Sequence, residues 1–169
     1  LELARALAPL FDAAAPIEVD ALVMDFDGVH TDDTVLVNQD GRESVAASRS
    51  DGMGIGMLRA AGLPMLILSK ERNPVVAARA AKLGVEVLHG IDDKRPALEQ
   101  WCRERGLDLD RTAYVGNDVN DIPCLDAVGW PVVVPDAHPD ALRRARLVLT
   151  RPGGRGALRE LAEAILAGR

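Results

Sequence analysis

Residues 19–28 read VDALVMDFDG, and the part from Val19 to Asp25 is a short apolar run that ends in an acid. A run of that length, bounded by charges and turn residues, reads as a buried strand. Pro64 to Ser69 (PMLILS) repeats the pattern, and Val85 to His89, Thr112 to Gly116, Trp130 to Val134 and Leu147 to Thr150 are further strand candidates. Helix-like segments fill the gaps: Gly52 to Ala61, Pro74 to Leu83, Lys94 to Arg105, Asn120 to Ala127 and Pro139 to Ala145. A last helix is expected over Ala157 to Ala167, after the flexible turn RPGGRG at 151–156. Alternation of this kind predicts an α/β fold, a parallel sheet with helical crossovers.

One insertion breaks the rhythm. Thr34 to Asn38 (TVLVN) and Glu43 to Ser48 flank Gln39-Asp40-Gly41, which predicts a β-hairpin over residues 34–48. The hairpin follows the first strand directly, where an open α/β sheet places its chemistry. The sequence has no internal repeat and no linker long enough to divide it, so a single domain over residues 1–169 is expected.

Composition narrows the classes. With 48% apolar but only 3% aromatic residues, Ala, Val, Leu and Ile must supply most of the core. Twenty Lys and Arg against 26 Asp and Glu give a net charge of −6 without a basic run, which argues against a non-specific nucleic-acid binder. The longest uncharged stretch, Ala60 to Ser69, falls well short of the roughly 20 residues needed to span a bilayer. Cys102 and Cys124 have neither CxxC spacing nor a neighbouring His cluster, so they read as buried thiols of a reducing compartment. Glu2, Arg5 and Asp12 interrupt any signal-peptide apolar region, and a cytoplasmic setting is expected.

Chemistry is expected at the carboxylates. Asp25 and Asp27 fall at or just past the carboxyl edge of the first strand, where ligands of such sheets bind. Spacing alone does not single them out, because with 17 Asp in the chain a second DxD, Asp108/Asp110, occurs in a polar connection. Gly116-Asn117-Asp118-Val119-Asn120-Asp121 ends the strand from Thr112 and faces the same edge. Converging carboxylates repel one another and call for a hard cation, and oxygen-only ligands favour Mg²⁺ over zinc. Asp118 and Asp121 have an alternative role as caps of the following helix. Ser69 closes the second long strand and Lys94 opens a helix; the first can donate a hydroxyl to phosphate and the second a fixed positive charge. Each also has an ordinary reading, Ser69 as a cap and Lys94 as solvated surface.

In order along the chain, Asp-x-Asp, Ser, Lys and Asn-Asp-x-x-Asp resemble the four motifs of the haloacid dehalogenase superfamily of phosphohydrolases. DFDGVHTDD, SDGMGIGMLRAAG, GIDDK, VGNDVNDIPCL, PDAHP and RPGGRGALREL together resemble its cap-less branch of ulosonate phosphate phosphatases, which act on octulosonate and sialic-acid phosphates. They are also similar to the phosphatase-like C-terminal domain of acylneuraminate cytidylyltransferases. The resemblance implies a three-layer, Rossmann-like parallel sheet with a hairpin after the first strand and no cap domain. It implies Asp25 as nucleophile, Asp27 as acid and then base, and Ser69 and Lys94 as their supporting groups. Mg²⁺ would be held by the Asp25 carboxylate, the Asp27 carbonyl and Asn117, with Asp118 as an alternative ligand and Asp121 accepting from metal-bound water. Most relatives carry Asp where this chain has Asn117, which removes one charge from the metal site.

Ser69-Lys70-Glu71 stands where relatives acting on the eight-carbon sugar acid tend to carry Thr-Gly-Arg. Glu71 with Lys82 is more similar to the branch acting on nine-carbon sialic-acid phosphates. The resemblance also implies a homotetramer assembled through hairpins, in which Arg155 reaches a neighbour's substrate; a solvated turn residue is its other reading. His30 is a further substrate-contact candidate, whereas His138 is expected to cap a helix and His89 to end a strand. The resulting expectation is a cytoplasmic, Mg²⁺-dependent phosphatase of a 3-deoxy-2-ulosonic acid phosphate. Its rival is a weakly active or non-catalytic tetramerisation module associated with a cytidylyltransferase.

Overall fold

The computed structural model describes residues 17–169. Six parallel strands form the central sheet: β1 (Ala21–Met24), β4 (Met65–Leu68), β5 (Glu86–Leu88), β6 (Thr112–Gly116), β7 (Trp130–Val133) and β8 (Leu147–Val148), in spatial order β5-β4-β1-β6-β7-β8. β1, β4 and β6 are buried along their whole length, as expected for central strands covered on both faces. β6 spans its expected residues, and the other strands of the sheet are one to three residues shorter than the runs read from the sequence.

Among the described residues six helices complete the layers: α1 (Arg49–Ala60), α2 (Val75–Leu83), α3 (Lys94–Arg105), α4 (Ile122–Leu125), α5 (Pro139–Leu142) and α6 (Ala157–Ala167). Right-handed crossovers place α1 and α2 on one face and α3, α4 and α5 on the other, and α6 packs against α1. α1 starts three residues before the expected Gly52, because the Ser48 hydroxyl accepts the Asp51 N–H and caps it. Among the described residues no helix is long and apolar enough to cross a membrane.

The expected hairpin is present but short. β2 (Leu36–Val37) and β3 (Glu43–Ser44) pair antiparallel, and the Asn38 side-chain oxygen closes the turn by accepting the N–H groups of Asp40 and Arg42. Both strands are exposed, with Leu36 76% and Val37 60% accessible.

Candidate active site

β1 and β6 lie side by side at the middle of the sheet, so Asp25 and the Asn117–Asp121 loop emerge together at its carboxyl edge. Asp25 Oδ1 accepts the Phe26 N–H at 2.7 Å and lies 2.7 Å from Lys94 Nζ. Oδ2 has no hydrogen bond among the described residues. Lys94 Nζ also reaches Asp121 Oδ1 at 2.8 Å. The lysine is therefore no surface residue: the first turn of α3 buries it between two carboxylates.

Asp121 is fully enclosed. Oδ1 receives Lys94 and the Tyr114 hydroxyl at 2.6 Å, and Oδ2 receives the N–H groups of Asn117 at 2.9 Å and Asp118 at 3.2 Å. Four donors fill its accepting positions. Through these donors Asp121 fixes Lys94 and shapes the 117–118 backbone. The Asp118 side chain caps the 3₁₀ turn Val119–Asp121 through the Val119 N–H.

The electrostatics follow from this arrangement. Burial, then repulsion from Asp121, pushes Asp25 well above the usual carboxylate range, with Lys94 pulling the other way. Burial would raise Asp121 too, but Lys94 and the other donors hold it low. The two acids share one ammonium, and Asp121, with four donors against two, takes the firmer charge. Burial opposes the Lys94 ammonium, yet Asp25 and Asp121 keep it charged. Asp27 is half-buried, and burial followed by the charges of Glu71 and Asp33 raises its carboxyl, so it holds a proton more readily than a free Asp.

Gly28 turns the chain after Asp27 with φ +75°, and a Cβ there would overlap the Asn117 carboxamide. Asn117 therefore packs on the backbone of Gly28, the residue after Asp27. Among the described residues no three His, Cys, Asp or Glu side chains form a metal cage. The available donors are mixed: the open Asp25 oxygen, the Asp27 carbonyl and the Asn117 carboxamide. All are oxygens, a set that fits a hard divalent cation.

Ser69, buried just past β4, accepts the Glu71 N–H at 3.0 Å, which leaves its hydroxyl proton free to donate. An open cleft of about 400 Å³ beside Asp27 is lined by Lys70, Glu71, Arg72 and Asp92. A somewhat larger hollow of about 450 Å³, between β5 and α3, contains none of the converging groups.

The remaining candidates divide. Glu71 borders the cleft, although its Oε1 is occupied by the N–H groups of Arg72 and Asn73. Lys82 does not join the site within one chain: it sits in the last turn of α2, at the opposite end of the sheet from Asp25. His30 is not a surface contact either. It is 2% exposed, stacked on Phe26, and held neutral by burial and by Arg79, its pKa pushed down to about 3. Arg155 lies on the rim of its own chain's loop, 3.4 Å from Asp32 Oδ2. His138 caps α5 as expected. Sequence reasoning missed Tyr114, whose position inside β6 looks like ordinary core, and the basic cleft residue Arg72.

A haloacid dehalogenase-like hydrolase family model matches residues 68–158. The 3-deoxy-D-manno-octulosonate 8-phosphate phosphatase KdsC of Escherichia coli K12 is 34% identical over 86% of this chain and 78% of its own length. N-acylneuraminate cytidylyltransferase A of Danio rerio is 34% identical over 92% of this chain, which covers 37% of that protein. Among solved structures, a HAD family hydrolase from Streptomyces avermitilis superposes with a TM-score of 0.88 at 58% identity, covering 92% of this chain and 89% of that one. The octulosonate 8-phosphate phosphatase of Moraxella catarrhalis, in complex with magnesium, phosphate and KDO, gives 0.87 at 30% identity over 90% and 88%. With Asp25, Lys94 and Asp121 joined at the carboxyl edge of a six-stranded parallel sheet, the chain belongs to the haloacid dehalogenase-like hydrolase family, among its phosphatases.

Proposed function

We propose that this protein is an Mg²⁺-dependent phosphatase that removes the terminal phosphate of a 3-deoxy-2-ulosonic sugar acid, with the nine-carbon sialic type favoured over the eight-carbon octulosonate. The observation that carries the reading is the Asp25 carboxylate, anchored through Oδ1 by Lys94 and the Phe26 N–H with Oδ2 left open. The magnesium complex of the Moraxella relative supports the cation. Ser69-Lys70-Glu71, in place of the Thr-Gly-Arg of the eight-carbon branch, supports the nine-carbon choice.

In this reading Asp25 attacks phosphorus in line and forms an aspartyl-phosphate, while Asp27 gives its proton to the departing sugar oxygen. Asp27, now ionised, takes a proton from the water that attacks the aspartyl-phosphate, and inorganic phosphate leaves with Asp25 restored. Lys94 and the Ser69 hydroxyl offset charge on the phosphoryl oxygens. Mg²⁺, held by Asp25, the Asp27 carbonyl and Asn117, would favour the ionised nucleophile and neutralise charge in the transition state. The chain works as a homotetramer assembled through the hairpins, with Arg155 reaching a neighbour's substrate carboxylate. The buried free thiols Cys102 and Cys124 support a cytoplasmic location, and the described residues 17–169 make one domain; the expected part of it before residue 17 lies outside the described residues.

A second reading is an assembly module of a cytidylyltransferase, which the Danio relative and Asn117 favour. Against it stands a buried Asp25–Lys94–Asp121 arrangement that assembly does not need. Phosphate release from nine-carbon and eight-carbon ulosonate phosphates separates the two. Turnover is expected with Mg²⁺, faster on the nine-carbon ester, and abolished by chelation or by Asp25→Asn. No turnover of either ester by correctly assembled protein would sink the phosphatase reading and leave the module.

A further inference from the structure

Asp51 stands outside the carboxylate cluster, in the first turn of α1, and is 2% exposed. Its Oδ2 accepts the Gly156 N–H at 3.2 Å and its Oδ1 the Arg159 N–H at 2.9 Å. Both donors lie at the start of α6, where backbone N–H groups have no partner within their own helix. Gly156 occupies the N-cap of α6 and has no side chain with which to satisfy them. Asp51 caps α6 from another helix, and its negative charge also suits the positive end of the α6 dipole.

What α6 carries at that end is the turn that lies on the catalytic loop. The Gly154 N–H donates to the Val29 carbonyl at 3.0 Å. Gly153 lies so close to the Gly28 carbonyl oxygen that a Cβ would overlap it. Gly28 is the residue after Asp27, and its N–H is held by the Thr31 hydroxyl at 3.2 Å. Contacts therefore run without a break from Asp51 through the first turn of α6 and the 153–154 turn to the backbone that aims Asp27.

We infer that Asp51 is a positioning residue for the Asp27 carboxyl: by pinning the start of α6 it seats Gly153 and Gly154 on Gly28–Thr31 and fixes where Asp27 delivers its proton. The inference rests on the reading of Asp27 as the acid, and its test keeps the two apart. A sugar-acid phosphate expels an alkoxide that needs a proton, whereas p-nitrophenyl phosphate expels a phenolate that does not. The ratio of kcat/KM for the nine-carbon sugar-acid phosphate to that for p-nitrophenyl phosphate therefore reports delivery of the proton, and general loss of folded enzyme does not move it.

Asp51→Asn is expected to lower that ratio about tenfold, a part of the typical contribution of a general acid. Gly153→Ala, which presses on the Gly28 carbonyl from the other end of the same contacts, is expected to lower it as well and carries the test if Asp51→Asn does not fold. Asp27→Asn is the reference and should lower it further. A normal ratio in folded Asp51→Asn or in Gly153→Ala, with Asp27→Asn showing the drop, overturns the inference alone. A normal ratio in Asp27→Asn overturns the acid reading and the inference with it.

Discussion

Lys94 Nζ lies 2.8 Å from Asp121 Oδ1, with both side chains closed off from solvent. The same ammonium serves Asp25, so one positive charge stands against two buried carboxylates. Removing it strands both acids in a low-dielectric interior. Lys94→Met is expected to cost about 3–5 kcal/mol of folding stability and to abolish turnover. Adding Asp121→Asn should recover part of the stability and none of the activity. Urea denaturation beside the phosphate assay checks both, and a single variant as stable as the native protein would show that the pair is not desolvated.

The Asn117 carboxamide packs on the Gly28 backbone, and in the proposed site it would offer the cation a neutral oxygen. Restoring a charged oxygen there should tighten the cation. Asn117→Asp is expected to strengthen Mg²⁺ binding by roughly tenfold, since ligand charge count tunes affinity in oxygen sites. Calorimetric titration reads this directly. Unchanged or weaker binding would take Asn117 out of the ligand set.

The strands, the crossovers and the acids at the carboxyl edge were legible because an apolar run ending in an acid fixes both a strand and the end at which its chemistry sits. What those acids hold was not legible. The motif shows Asp121, whereas its four donors come from three separate elements that only the folded chain brings together. Lys82 falls away from Asp25 within one chain for a reason the topology contains: a helix following a parallel strand runs back, so its last turn falls at the far edge. Asp51 went unnoticed because α1 was expected to begin at Gly52, one residue too late to include it.

His30 is buried and neutral, with its pKa depressed from 6.5 to about 3 by burial and by Arg79. The unfolded chain binds a proton at this residue below pH 6.5 and the folded chain does not until about pH 3. Stability from this group is therefore complete above pH 6.5 and falls as pH drops, by about 1.4 kcal/mol per pH unit at most. Denaturation midpoints at pH 7 and pH 5 should differ more for the native protein than for His30→Phe, which keeps the stack on Phe26 without the titrating ring. Equal slopes in the two proteins would show that His30 is protonated in the fold.

The hairpin's apolar residues Val35, Leu36 and Val37 are all at least half exposed, and Met53 of α1 is 61% exposed. Each strand pairs over only two residues, and a two-stranded hairpin of that size is marginal in water unless it packs on something. Burying this much apolar surface would stabilise an assembly through the hydrophobic effect, at roughly 25 cal/mol per Å² removed from water. The occupant in the proposed tetramer is another copy of the same hairpin. Deleting residues 36–45 is then expected to give monomers and to remove sugar-acid phosphate turnover together, because Arg155 of a neighbour no longer reaches the substrate. The milder Leu36→Asp should shift the assembly toward smaller species without touching Asp25 or Lys94. Light scattering alongside the phosphate assay reads both variants, and a monomeric deletion variant with native turnover would show that the site is complete within one chain.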